Sequence, residues 1–228
     1  MPFLVAFTAA LAVTASTEAR NPVSQVSPAV PAGPQNAPTL ARMMNLSPLP
    51  ERAAPGFTLT DQHGRRVSLA GFRGKTVLLG FLDSRCTQVC PVIAQELIAA
   101  EHDLGPRADR VALVGVNVNP RAASVAAVKQ FSVVHGLNRL PNWYFLTGPA
   151  PQLARVWKAY GIQVALPQGA SQTVHADFLF FINPLGYERF LAEPFAYQRR
   201  NGTGYLPAGT VGRWGQGIAH YLTLAAGG

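Results

Sequence analysis

The chain has 228 residues, 48% of them hydrophobic and 13% charged, with a formal net charge of +8 carried mostly by arginine. That length suffices for one domain with a real core plus appendages. The basic residues are scattered and accompany no nucleic-acid motif, so the charge reads as solvation and affinity for anionic lipid or an acidic partner, and no nucleic-acid partner is expected.

Residues Pro2 to Ala15 form an apolar run without a charged side chain, short for a bilayer span. Small residues follow, with sites of the signal-peptidase type after Ala15 and Ala19. Residues 1–19 therefore read as a signal peptide or N-terminal anchor, although no Lys or Arg precedes the run. No cysteine follows it, which argues against a lipid attachment. Residues 20–55 are rich in Pro, Ala, Ser, Gln and Asn, with prolines at Pro22, Pro28, Pro31, Pro34, Pro38, Pro48, Pro50 and Pro55. Such a stretch buries too little apolar surface to order itself and predicts an extended linker. The expected product is an exported domain, residues 56–228, in the periplasm or at the outer face of the cytoplasmic membrane, with membrane proximity.

Within that domain Phe57 to Thr60, the turn Asp61-Gln-His-Gly64 and Arg65 to Leu69 predict a β-hairpin. Thr76 to Leu82 is a continuous apolar run, the mark of a strand covered on both faces. Pro91 to Leu104 reads as a helix, with proline at its first position, and Val111 to Val118 as a second buried strand. Val125, Val128, Phe131 and Val134 fall at helical spacing within Ala122 to His135. Trp143 to Leu146 predicts a short strand, and Ala150 to Tyr160 a helix with Leu153, Val156, Trp157 and Tyr160 on one face. Asp177 to Ile182 and Tyr187 to Leu191 flank the turn Asn183-Pro-Leu-Gly186. A last helix starts at Val211 or Arg213 and runs to Leu224; the tail from about Pro194 to Gly212 has no assignment. The order describes a thioredoxin-like three-layer α/β sandwich with an N-terminal β-hairpin and a C-terminal helix.

Cys86 and Cys90 are the only cysteines in the chain. They lie beyond the C-terminal end of the first core strand, where open α/β sheets gather reactive groups, and at the start of a helix, where amide groups favour thiolate. Two such sulfurs can close a disulfide, attack one, or hold a soft metal. In an exported chain they would usually oxidise. A disulfide closing so short a loop removes little chain entropy, which disfavours a purely structural role. His175, in Thr173-Val-His-Ala-Asp177, falls in the loop that faces the cysteines in a thioredoxin-like fold. Two sulfurs and an imidazole make a three-point site suited to Cu(I) and tolerant of Cu(II). Asp177, expected on the same side of a strand as His175, is placed to orient that ring or to face solvent. Arg85 would favour thiolate and Asp83 oppose it. Met43 and Met44 are soft donors in the linker, more simply read as incidental. His63, His102, His135 and His220 read as solvent-facing or capping residues.

The pattern resembles the SCO1/SenC family of thioredoxin-like copper proteins. The matching residues are Phe57-Thr-Leu-Thr-Asp61 and Gly64, Gly74-Lys75, Cys86-x-x-x-Cys90-Pro91, Phe145-Leu-Thr-Gly148, Lys158-Ala-Tyr-Gly161, the His175 loop and Asn183-Pro-x-Gly186, over roughly residues 55–192. The resemblance implies copper held by Cys86, Cys90 and His175. It also implies delivery of copper to the copper centre of cytochrome c oxidase, or reduction of that centre's ligand cysteines. The implied partners are the copper-receiving oxidase subunit and a thiol reductant protein. The chain departs from the family pattern at Thr87-Gln88-Val89 between the cysteines, at Asn119 where aspartate is usual, and at Val174 before the histidine, so two acidic side chains near the site are expected to be missing. A binding protein, a copper metallochaperone, is the leading expectation. The alternatives are enzymes: a thiol-disulfide oxidoreductase with Cys86 attacking and Cys90 resolving, a redox-active pair, or a thiol peroxidase suggested by Thr87-x-x-Cys90.

Overall fold

The structure, a computed structural model, describes residues 37–227. The expected signal segment and the first part of the expected linker lie outside them. The rest of that linker is folded. A short helix, α1 (Ala37–Met43), buries Leu40, and Met44 just after it is fully buried. The edge strand β1 (Ser47–Ala53) follows. The expectation of a spacer reaching residue 55 is thus corrected for the described part of it: from Ala37 on, this stretch belongs to the folded domain. Met44 is core, and its sulfur fills space that a side chain at Gly217 would need.

From β1 onward the hydrophobic patterning sets the elements. The predicted hairpin is β2 (Thr58–Thr60) and β3 (Arg66–Ser68). The apolar run forms β4 (Thr76–Leu82), every residue of which is buried, and leads to α2 (Val89–Leu104). Next come β5 (Val111–Asn117), also buried throughout, and α3 (Val125–Val134), whose first turn is capped by the Ser124 hydroxyl. The strand β6 (Trp143–Leu146) and the helix α4 (Ala150–Ala159) match their expected spans closely. Two two-residue strands, β7 (Val164–Ala165) and β8 (Val174–His175), then pair with each other. The terminal hairpin is β9 (Leu179–Ile182) and β10 (Tyr187–Ala192). The unassigned tail contains a small hairpin, β11 (Tyr197–Gln198) and β12 (Gly204–Tyr205), before the last helix α5 (Thr210–Ala226).

Six strands form one sheet in the order β1-β10-β9-β4-β5-β6. Strands β4, β5 and β6 run parallel; β9 pairs antiparallel with β4, β10 with β9, and β1 with β10. Side chains alternate along these strands, so each buries two faces. Leu78, Leu82, Leu113, Leu179 and Phe181 face a core shared with α2, α3 and α5. Val77, Leu79, Phe81, Val114, Phe180 and Ile182 face a second core with Leu59 of β2 and Leu153, Val156 and Trp157 of α4. This is the expected three-layer α/β sandwich. Among the described residues no helix is long and apolar enough to cross a membrane.

Candidate metal and thiol site

Strand β4 delivers the chain to one end of the sheet, and the loop from Asp83 to Gln88 turns it into α2. The helix begins at Val89, two residues earlier than Pro91, so Cys90 sits inside its first turn. Gln88 at the cap position makes no side-chain cap bond. The acceptor is instead Cys86, whose Sγ receives the backbone N–H of Cys90 at 3.4 Å. A sulfur serving unpaired amides at a helix N-terminus is favoured as thiolate.

The two thiols are free and electrostatically unequal. Cys86 is half-buried. Hydrogen bonding from the Cys90 thiol, aided by the amides of Cys90 and Gln88 and opposed by burial and by Asp83, brings its pKa down to about 7. Cys90 is wholly buried, and burial pushes its pKa well above the ordinary thiol value, reinforced by the Cys86 sulfur. This places the easily ionised sulfur at Cys86, as a thiolate that attacks first requires. Arg85 is exposed, and its backbone N–H, not its guanidinium, joins the site by donating to Asp83 Oδ1 at 2.7 Å.

His175 arrives from the far side. It occupies β8, paired with Val164, and its side chain is 4% exposed. The strand ends there and β9 starts only at Leu179, so Asp177 lies in a link and not on a shared strand as expected. Its carboxylate still turns inward. Among the described residues one set of metal-capable ligand atoms gathers within 4.8 Å of one another, from Cys90, His175 and Asp177. Cys86 stands outside that set, against Cys90. His175 Nδ1 lies 3.1 Å from the Ala176 carbonyl and 3.6 Å from Asp177 Oδ1. Burial, partly offset by His175 and reinforced by Cys86, raises the Asp177 pKa to about 6.

Asp83 ties the two arms together. Its buried carboxylate accepts from the Thr173 N–H at 2.7 Å, the Thr173 hydroxyl at 2.9 Å and Asn119 Nδ2 at 2.9 Å. Asn119 Nδ2 also donates to the Ser171 carbonyl at 2.8 Å, and Gln172 hydrogen-bonds Thr87 on the cysteine loop. Two acidic side chains, Asp83 and Asp177, thus lie at the site even though Asn119 and Val174 are not acidic. Sequence reading gave Asp83 only a role in tuning the thiols. Its latch to Thr173 spans 90 residues of chain and leaves no local pattern. The β11–β12 hairpin rests on the same loop. Gly204 N–H donates to the Thr87 carbonyl at 3.0 Å, and a Cβ at Gly204 would run into the Gln88 carbonyl oxygen, so only glycine permits the approach.

The remaining candidates lie apart from this cluster. His63 and His102 are exposed, while His135 and His220 are partly buried against Phe131 and Tyr221. Trp157 donates its indole N–H to the Asn117 carbonyl at 3.1 Å, and Tyr160 its hydroxyl to Pro55 at 2.8 Å, both as core residues.

Known proteins share this fold and part of this sequence. The SCO1 protein homolog of Bacillus subtilis is 26% identical over 132 residues, which cover 57% of this chain and 68% of that protein. The chain spans about half the length of the mammalian mitochondrial SCO2 homologs it also matches. A Haemophilus influenzae protein with a peroxiredoxin name is 33% identical over 108 residues, 47% of this chain and 63% of that protein. The solved structure of Bradyrhizobium japonicum ScoI with copper bound aligns with a TM-score of 0.59 at 22% identity, covering 76% of this chain and 99% of that one. This likeness shows the thioredoxin-like fold. The SCO1/SenC family model matches residues 47–198, so that it takes in the cysteine loop, the Asp83 latch and the histidine segment alike, and the chain belongs to the SCO1/SenC family.

Proposed function

We propose that this protein is a copper metallochaperone of the cell envelope, carrying copper on Cys86, Cys90 and His175. Its cargo would go to the copper centre of cytochrome c oxidase. The observation that carries the reading is the meeting of a buried sulfur and a buried imidazole from segments far apart in the chain, Cys90 and His175, with the Cys86 sulfur against Cys90. Thiolates suit Cu(I), and an imidazole extends the site to Cu(II). The Ala176 carbonyl beside Nδ1 fixes the proton on that nitrogen and leaves Nε2 as the ligand atom. Because the ligating thiols must be deprotonated and unbonded to each other, closing the disulfide would release the cargo.

Titration of copper into the reduced protein tests this. One copper ion per chain is expected for the wild type, with binding lost in Cys86→Ser and Cys90→Ser. His175→Ala should weaken Cu(II) more than Cu(I), since two thiolates still hold the cuprous ion. Wild-type Cu(II) spectra in His175→Ala would remove that ligand.

A second reading, a thiol-disulfide oxidoreductase acting on the oxidase's ligand cysteines, is favoured by the split between the thiols. Cys86 is only half-buried and ionises at about 7, and Cys90 is a buried partner able to resolve a mixed disulfide. It predicts reduction of a disulfide substrate that survives His175→Ala. The same split opposes a peroxidase with Cys90 as the attacking sulfur, because that thiol is buried and held protonated.

A further inference from the structure

We propose that Asp177 is itself a ligand to Cu(II) in this chain, a hard oxygen donor that Cu(I) does not need; the proposal rests on the copper reading above. Two roles are open to a carboxylate beside a ligating histidine: orienting the ring from behind, or binding the ion. Orientation requires a hydrogen bond from Nδ1. Here the Nδ1···Oδ1 distance is 3.6 Å, beyond hydrogen-bond range, and the Ala176 carbonyl at 3.1 Å already takes that proton. Asp177 is therefore not the ring's anchor.

The Asp177 side chain is 22% exposed, but its Oδ1 is buried and has no hydrogen-bond partner among the described residues. An enclosed carboxylate oxygen without a donor is costly, and a cation in the adjoining space compensates for it. That space is bounded by the Cys90 sulfur and the His175 ring nitrogen, the three ligand atoms lying within 4.8 Å of one another. An ion about 2.0–2.3 Å from each of three donors spans such a set.

Donor chemistry then sorts the two oxidation states. Soft thiolates suit Cu(I), whereas imidazole and carboxylate suit Cu(II). Cys86 and Cys90 together satisfy the cuprous ion. For the cupric ion, His175 and Asp177 add a nitrogen and an oxygen donor to those two sulfurs. The chain thus carries two overlapping donor sets, and Asp177 belongs to one of them.

Asp177→Asn tests this, since the amide keeps the shape and removes the charged oxygen donor. Reduced wild type and variant, both checked for native circular dichroism, are titrated separately with Cu(I) and Cu(II) against competing chelators, and the Cu(II) forms are examined by paramagnetic resonance. For Asp177→Asn the Cu(II) dissociation constant should rise about tenfold or more, and the copper hyperfine splitting should change. Cu(I) affinity should stay within about twofold, because its thiolate donors are untouched. Asp177→Glu, which keeps an oxygen donor on a longer arm, should recover part of the Cu(II) affinity. A wild-type spectrum and affinity in Asp177→Asn overturns the ligand assignment while leaving the metallochaperone reading in place, as does an equal loss for both ions, which marks a structural role. A wild-type protein that holds neither ion overturns both.

Discussion

The two arms of the site are held in different ways. The cysteine arm is fixed by packing: β4 is buried along its whole length, and α2 buries Cys90, Val92, Ile93, Ala94 and Leu97 against the sheet and α5. The histidine arm rides on a two-residue strand with exposed Val174 beside it, and is held mainly by polar bonds from residues 171–173 to Asp83, Asn119 and Thr87. Apolar packing is dense and insensitive to small perturbations of solvent. A hydrogen-bonded latch is directional and is lost when one acceptor goes. The difference teaches that one arm of the site is set by packing and the other by a few directional polar bonds.

Cutting the latch gives the largest expected effect. Asp83→Ala leaves the donors of Arg85, Asn119 and Thr173 without their acceptor, at a cost of about 3 kcal/mol in unfolding free energy. Chemical denaturation reads the total, and amide exchange at Thr173 and His175 reads the local part. Protection should fall there while the β4 amides keep theirs. Uniform loss of protection would mean that the two arms form one unit.

A smaller effect of opposite sign is expected on the packed arm. Among the described residues both carboxyl oxygens of Glu96 on α2 are buried without a partner, and burial raises its pKa well above the ordinary carboxyl value. The folded state therefore binds this proton more tightly than the unfolded state, and stability falls as pH rises from the unfolded carboxyl pKa towards the folded one. Glu96→Leu removes that penalty. It should raise stability near neutral pH by about 1–2 kcal/mol and flatten its pH dependence above the unfolded carboxyl pKa. A destabilised variant at neutral pH would show that the carboxyl has a partner in solution.

The last effect concerns rate alone. Alkylation of the reduced, copper-free protein should proceed at Cys86, with a rate that rises as pH increases through about 7. Cys90, whose pKa lies well above the ordinary thiol value, should stay unmodified over that range. Peptide mapping distinguishes the sites. Earlier labelling of Cys90 would mean that the first turn of α2 opens, and the packed arm would then be the looser one.

Most of the fold was legible because long apolar runs and helical periods mark β4, β5, β6, α2 and α4 directly. The edge strand β1 was hidden, because Ser47-Pro-Leu-Pro-Glu-Arg-Ala53 has two prolines and no alternation. Proline is tolerated only where a strand's free side needs no N–H, and that follows from its pairing with β10. Strands of two residues, such as β8 and β12, are too short to show any period at all. They exist because neighbouring backbone is already in place.

The sequence by itself determined the thiol arm: an apolar strand running into a helix start presents Cys86 and Cys90 at a sheet end, because burial and helix geometry are local consequences of residue order. The order of elements also put the His175 loop opposite them. Only the tertiary structure decided how that loop is held: the inward turn of Asp177 and the Asp83 latch depend on contacts and hydrogen bonds made in the folded chain, and these have no signature in the local spacing that makes strands and helices readable.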